Sequence, residues 1–91
     1  MFLPSELMEA AEFINKDSLA RQLFRELSRT SSESGWALAK AADADPKDVD
    51  ERLRRLKSLS VLSAQGSGLE AYYYLTDLGF KLREFLLSRA V

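Results

Sequence analysis

The first third of the chain predicts two amphipathic helices. Apolar residues recur at helical spacing after Pro4-Ser5-Glu6 and continue until the polar segment at residues 15–18. A second apolar stripe begins at Leu19 and runs to Leu27 at positions i, i+4, i+5 and i+8. The polar segment between them contains residues that cap helix N-termini well, so we expect the helix to break or restart there.

A short helix, a tight turn and a longer helix are predicted in the middle of the chain. Thr30 and Glu33 have the spacing of a capping box, which would open the short helix that carries Trp36. Residues 42–45 form a polar interruption, and Pro46 suits the first position of the longer helix, which extends to about residue 59. The apolar residues of this longer helix share one face: Val49, Leu53 and Leu56.

The period of the apolar pattern changes after the longer helix. Residues 61–65 and 69–76 flank Gly66-Ser67-Gly68, which predicts a β-hairpin with a flexible tip. In the second strand Tyr73 would pack inward, whereas its two tyrosine neighbours would be half exposed. A polar cap at residues 76–77 would begin a last helix with its own apolar stripe: Leu78, Leu82, Phe85 and Leu86.

This order of elements predicts a mainly α fold with a small β-hairpin. A short helix joined by a turn to a second helix is the helix-turn-helix unit, and the hairpin after it would form a wing. We therefore expect a winged helix-turn-helix with additional N- and C-terminal helices. Residues 1–91 would form one domain, with an N-terminal helical extension over 1–17, a winged-helix core over 18–76 and a C-terminal helix over 77–91.

Composition argues against several kinds of chemistry. The chain contains no Cys and no His, which removes disulfides, thiolate metal sites and the usual general base of catalysis. The aspartates at residues 43–50 do not match a calcium loop, because Lys47 and Arg54 occupy positions that require oxygen ligands. We therefore expect a protein without a metal or other cofactor and without enzyme activity.

The length of the apolar runs and the composition of the first residues indicate the cellular location to expect. No apolar run approaches the roughly 18 residues that a membrane span needs. The first residues lack the basic and apolar regions of a signal peptide. A cytoplasmic location, away from any membrane, is the expectation.

Four segments resemble a known group of regulators. In chain order they are Leu38-Ala39-Lys40, residues 44–49, Leu53-Arg54-Arg55-Leu56 and residues 73–79. Together they make residues 36–80 similar to the winged helix-turn-helix of the MarR, PadR and ArsR families of transcriptional regulators. The resemblance implies a regulator whose recognition helix, about residues 46–59, enters the major groove of double-stranded DNA. Winged helices also dock proteins, so a protein–protein interaction module with little or no DNA binding is the alternative.

The outward face of the recognition helix carries the candidate DNA contacts. At about 100° per residue, five residues form one arc and two lie on its neighbouring side: Lys47, Asp48, Glu51, Arg52 and Arg55, then Arg54 and Lys57. The resemblance assigns this face to base edges and phosphates. The same residues also form acid–base pairs four positions apart, which would stabilise the helix by themselves: Asp48–Arg52, Asp50–Arg54 and Glu51–Arg55.

The charge distribution favours the protein-binding alternative in one region. Thirteen Lys and Arg residues against fourteen Asp and Glu residues give a net charge of −1, whereas DNA-binding domains are usually basic. No Lys or Arg occurs between Ser58 and Thr76, so the predicted wing offers no cation to DNA.

The two ends of the chain carry more apolar side chains than one small core needs. Phe80 and Leu87 lie on a different face of the last helix from its main stripe, and the first helix adds several apolar residues. An exposed apolar patch usually marks an interface. We expect a homodimer whose interface includes Leu7, Met8, Ile14, Phe80 and Leu87, with Phe2 and Leu3 also contributing.

Overall fold

Five α-helices and a three-stranded antiparallel sheet make up residues 5–89, the part of the chain that the computed structural model describes, with side chains described for residues 5–87. In chain order the elements are α1 (Ser5–Lys16), α2 (Ser18–Arg29), β1 (Glu33–Ser34), α3 (Gly35–Ala42), α4 (Pro46–Ser58), β2 (Leu62–Gln65), one 3-10 turn (Gly68–Glu70), β3 (Tyr72–Leu75) and α5 (Asp77–Arg89). The predicted mainly α fold with a small β-hairpin is confirmed. The predicted contributions of Phe2, Leu3 and Pro4 lie outside the described residues.

The break between α1 and α2 has a single local cause. Asp17 has an extended backbone and caps α2, because its Oδ1 atom accepts a hydrogen bond from the backbone N–H of Ala20 at 2.9 Å. The prediction that the helix breaks or restarts at the polar segment is therefore confirmed.

The beginning of α3 differs from the prediction. Ser34, and not a Thr30–Glu33 capping box, caps α3 by accepting a hydrogen bond from the N–H of Ala37 at 3.1 Å. Glu33 and Ser34 instead form β1, which pairs with Tyr73 and Tyr72 of β3. The capping-box prediction is wrong because the backbone partner of this segment comes from about 40 residues further along the chain.

The turn between α3 and α4 follows the predicted chemistry. Asp43 ends α3 in the left-handed conformation, with φ 50° and ψ 47°. Asp45 then caps α4 by accepting a hydrogen bond from the N–H of Lys47 at 2.9 Å, and Pro46 occupies the first turn of the helix. Helix α4 therefore begins at Pro46, as predicted. It ends at Ser58, within one residue of its predicted end.

The hairpin is shorter than predicted at its second strand. Strand β2 pairs with β3 from Leu62↔Leu75 to Gln65↔Tyr72, and the loop between them contains the 3-10 turn. Tyr73 is buried, and its hydroxyl donates a hydrogen bond to the carbonyl oxygen of Gly68 at 3.0 Å. The inward orientation predicted for Tyr73 is confirmed.

The core uses residues that we expected at a dimer interface. Leu7 and Ile14 of α1 are 0% and 2% exposed, because α1 packs against α2 and α5 within the same chain. Their burial within one chain contradicts the predicted place in a dimer interface, since almost no surface of either side chain is left for a partner. Trp36, by contrast, is 53% exposed and does not belong to the core.

Candidate nucleic-acid interface

Helix α4 is held by one face and open on the other. Val49, Leu53 and Leu56 are all fully buried in the core. The opposite side of a helix fixed in this way must face solvent. Six of the seven predicted contact residues are exposed: Lys47, Asp48, Glu51, Arg54, Arg55 and Lys57.

Arg52 is the exception, because it joins α4 to the preceding helices. Its side chain is 28% exposed, and its Nε atom donates a hydrogen bond to Oδ2 of Asp17 at 3.2 Å. Asp48 and Glu51 place further carboxylate oxygens 4.0 Å and 3.8 Å from its Nη1 atom. Arg52 is thus surrounded by three carboxylates, one of which also caps α2.

Arg55 is also engaged by a distant residue, although it is more exposed. Its Nη2 atom donates a hydrogen bond to Oε1 of Glu9 in α1 at 3.0 Å. Its guanidinium group also lies 5.9 Å from the centre of the Phe13 ring. Arg55 therefore pairs with α1 and does not form the predicted ion pair with Glu51.

Glu9, Phe13 and Asp17 are absent from the predicted site. They lie 35 to 46 residues before the arginines in the two hydrogen-bonded pairs, so helical spacing gives no sign of them. Phe13 and Asp17 line a shallow cleft of about 500 Å³ together with four residues of α4: Glu51, Arg52, Arg54 and Arg55. Only the packing of the helices brings the two groups together.

The other flank of α4 faces the wing. Arg54 is 73% exposed and forms the predicted ion pair with Asp50, at 3.0 Å. Asp50 lies on the side of Tyr73, and its Oδ1 atom is buried without a hydrogen-bond partner. Burial, and secondly the negative charge of Asp50, raise the pKa of the Tyr73 hydroxyl, whereas Arg54 opposes the shift.

The charges around α4 nearly cancel. Five basic residues lie on the helix and six carboxylates lie on it, on its cap and on the adjoining helices: Lys47, Arg52, Arg54, Arg55 and Lys57 against Glu9, Asp17, Asp45, Asp48, Asp50 and Glu51. Among the described residues, Lys47 and Lys57 form no ion pair. They are the cations of α4 that need not break an existing contact to bind an anion.

The wing side of the surface is aromatic and uncharged in character. Trp36 at the start of α3 and Tyr72 of β3 are 53% and 56% exposed. Glu70 is the only charged residue between Ser58 and Thr76. Tryptophan and tyrosine are enriched in protein interfaces, so this region suits contact with a protein partner. Because it lacks positive charge, it offers little electrostatic attraction to phosphate.

The remaining predicted interface residues are exposed on the terminal helices. Met8 is 56%, Phe80 45% and Leu87 61% exposed.

In residues 5–89, no helix has the length and apolar character required to cross a membrane. Across the same range, no group of three or more acidic side chains is arranged to hold a metal ion.

Neither a family model nor a curated protein sequence matches this chain. Solved structures match its fold. TubR bound to 24 bp of tubC from Bacillus thuringiensis serovar israelensis pBtoxis has a TM-score of 0.75 at 19% identity, over 98% of this chain and 99% of that chain. The reduced form of the transcriptional regulator YodB from B. subtilis has a TM-score of 0.77 at 18% identity, over 99% and 89%.

A third match is a homodimeric DNA-binding domain. It is the winged helix-turn-helix domain of Mb0332 from Mycobacterium bovis, a possible ArsR-family transcriptional regulator, with a TM-score of 0.69 at 20% identity, over 88% of this chain and 72% of that chain. The chain therefore has the winged helix-turn-helix fold, as predicted. In this fold α3 and α4 are the helix-turn-helix, and β2 and β3 form the wing.

Proposed function

We propose that this chain is a DNA-binding transcriptional regulator that places α4 in the major groove of double-stranded DNA. The supporting observation is the placement of α4, whose apolar face is fully buried while its opposite face presents cations to solvent. A helix held in this way fits the major groove and directs its polar side chains at base edges and phosphates. The structure of TubR bound to 24 bp of tubC shows that a chain of similar fold binds DNA.

Within this proposal the seven candidate residues have different tasks. Lys47, Arg54 and Lys57 are exposed and supply the first phosphate contacts. Asp48 and Glu51 repel phosphate and act only where a cytosine amino group can donate to them. Arg52 and Arg55 reach DNA only if they leave Asp17 and Glu9, so DNA must compete with the carboxylates of the protein.

The same proposal includes a homodimer in the cytoplasm, without a cofactor or a catalytic role. Met8, Phe80 and Leu87 are the exposed apolar residues of the terminal helices, and burying them between two copies would remove them from water. A two-fold axis would set the two α4 helices for half-sites about 34 Å apart. The Mb0332 domain, a homodimer of similar fold, supports the homodimeric part of the proposal.

Fluorescence anisotropy with labelled duplex DNA at low salt tests the proposal. We expect weak binding, with a dissociation constant on the order of 1–100 µM, because the α4 surface is nearly neutral. Replacing Lys47 and Arg54 together by Gln should weaken binding about tenfold and reduce the slope of log K against log salt by about 0.9 for each phosphate that the variant no longer neutralises. Lys81→Gln, which removes one exposed charge from α5, is the control and should change neither quantity.

Two results would contradict DNA binding. One is no anisotropy change with tens of micromolar protein, and the other is equal weakening of binding by the Lys47 and Arg54 variant and by Lys81→Gln.

The second candidate function, a winged-helix protein-interaction module, is favoured by the exposed Trp36 and Tyr72 and by a wing without Lys or Arg. It predicts that Trp36→Ala combined with Tyr72→Ala disrupts a protein complex while DNA affinity stays negligible throughout.

A further inference from the structure

A cleft on the side of the molecule made by α1, α2 and α5 is lined by four arginines. The cleft has a volume of about 610 Å³, within the usual range for sites that hold small molecules. Arg21, Arg25 and Arg29 are spaced four residues apart and therefore share one face of α2, and Arg83 approaches from α5. The lining residues include no Asp or Glu.

These arginines contrast with those of α4, because none is neutralised. Within the described part of the chain, Arg25 and Arg29 form no ion pair and no side-chain hydrogen bond. Arg21 and Arg83 donate hydrogen bonds only to backbone carbonyl oxygens, of Asn15 at 2.6 Å and of Ser28 at 3.1 Å. Four guanidinium groups therefore share one cleft in which no carboxylate of residues 5–87 pairs with them.

Arg83 is the most constrained member of the group. Its side chain is half-buried, and its guanidinium group lies 5.2 Å from the centre of the Phe80 ring. Its Nε atom is buried and has no hydrogen-bond partner. A buried donor without a partner is costly, and an acceptor bound in the cleft would remove that cost.

The rest of the lining is apolar. Ile14 and Phe24 are buried side chains at the cleft, and Leu86 and Leu87 complete it from α5. A small hydrated anion such as phosphate would leave this apolar surface wet. An apolar molecule without a charge would leave the arginines unpaired. The cleft is complementary to a molecule that has both parts.

We propose that this cleft binds an amphipathic carboxylate, with the carboxylate between the arginines of α2 and α5 and the apolar body against Phe24 and Leu86. The planar guanidinium group can donate two parallel hydrogen bonds to one carboxylate, which lysine cannot do. Apolar burial then supplies affinity that surface ion pairing alone does not. This site is separate from the exposed face of α4 and does not depend on DNA binding.

Calorimetric titration of the full chain with dodecanoate below its micelle concentration tests the proposal. We expect one site per chain with a dissociation constant on the order of tens of micromolar. Arg25→Gln combined with Arg29→Gln should weaken binding at least about tenfold, because both side chains are exposed and unpaired and their replacement leaves the core intact. Lys81→Gln, which removes a charge from α5 outside the cleft lining, should leave binding unchanged.

Two further probes separate the parts of the ligand. Acetate has the carboxylate without the apolar body, and dodecyltrimethylammonium has the apolar body with the opposite charge, so both should bind at least about tenfold more weakly than dodecanoate. Equal binding of either probe, or undiminished binding in the arginine variant, overturns the proposal. Absence of dodecanoate binding also overturns it, and loss of dimer mass in the arginine variant would then indicate that a second copy occupies the cleft.

Discussion

Arg52 and Arg55 lie one turn apart on α4, but their surroundings give them different roles. Arg52 is mostly buried between carboxylates and connects α4 to the residue that caps α2. Breaking such a pair costs more than breaking an exposed one, because the remaining charge keeps little water around it. Arg55 and Glu9 are both at least half exposed, so their ion pair contributes only about 0–1 kcal/mol. Under the proposed function, Arg55 is therefore the arginine of this pair that DNA would engage at the lower cost in free energy.

Removing the carboxylate that holds Arg55 should strengthen DNA binding. In Glu9→Gln, Arg55 no longer has an ionised partner in α1, and one negative charge beside α4 is removed. We expect DNA affinity at low salt to rise by about two- to fivefold, a change that corresponds to the free energy of an exposed ion pair. Fluorescence anisotropy measures the change.

Glu12→Gln is the matched control for this prediction. Glu12 belongs to the same helix and pairs with Lys16 at 3.0 Å, so the substitution makes the same change in charge without touching α4. It should alter DNA affinity much less than Glu9→Gln. Equal gains from the two variants would mean that net charge alone, and not the release of Arg55, controls affinity.

At the scale of elements, the wing and α5 are joined through a close backbone approach. Thr76 caps α5 because its Oγ1 atom accepts a hydrogen bond from the N–H of Gly79 at 3.1 Å. The carbonyl oxygen of Val61, at the start of the wing, accepts a hydrogen bond from the N–H of Thr76 at 3.2 Å. A Cβ atom on residue 79 would collide with that same carbonyl oxygen.

Gly79→Ala should therefore destabilise the fold. The Val61 carbonyl cannot retreat without breaking its hydrogen bond, so the added methyl group must displace α5 from the wing. We expect a loss of about 1–3 kcal/mol or more, the usual cost of overpacking. Urea denaturation followed by circular dichroism measures it, and the exposed Lys81→Ala in the same helix should stay within about 0.5 kcal/mol of the parent chain. Similar midpoints for the two variants would contradict this account of the junction.

Helix α4 is an element whose bounds and buried face are determined by its own residues. Asp45 and Pro46 define its first turn, and the spacing of its apolar residues defines the buried face. Both signals act within a few residues, so the bounds and orientation of α4 follow from the sequence. Strand β1 has no such local signal, since two residues form a strand only where β3 offers backbone partners.

At the scale of the whole molecule, a chain of 91 residues leaves large apolar side chains in water at its two terminal helices. Small domains bury a modest share of their surface, and association with a second copy adds to it. Phe80 stands on the exposed side of α5, next to the polar Lys81. This neighbouring pair allows an apolar residue and a polar one to be compared at nearly the same place.

A charge at residue 80 should prevent self-association. We expect the parent chain to have twice the 10.3 kDa chain mass in solution, and Phe80→Glu to have the monomer mass, because removing a carboxylate from water at the interface costs free energy, whereas burying the Phe80 ring gains it. Light scattering after gel filtration measures both. Lys81→Glu should keep the dimer mass. A monomeric parent chain, or a dimeric Phe80→Glu variant, would disprove this interface.

The sequence by itself determined the elements that depend on neighbouring residues. Caps at Asp17 and Asp45, the apolar stripe of α4 and the alternation around Tyr73 are local features, and they were sufficient to predict a winged helix-turn-helix. The seven candidate contact residues also followed from one helix face, although the structure establishes only that six of them are exposed and that Arg52 is not.

Only the tertiary structure decided how those residues are used. It placed Glu9 and Asp17 on the arginines of α4, buried Leu7 and Ile14 in the core, and gathered at one cleft four arginines that pair with no carboxylate of residues 5–87. Each of these features joins segments that are far apart in sequence. Their free energy depends on packing between elements, and a pattern with a period of a few residues carries no information about it.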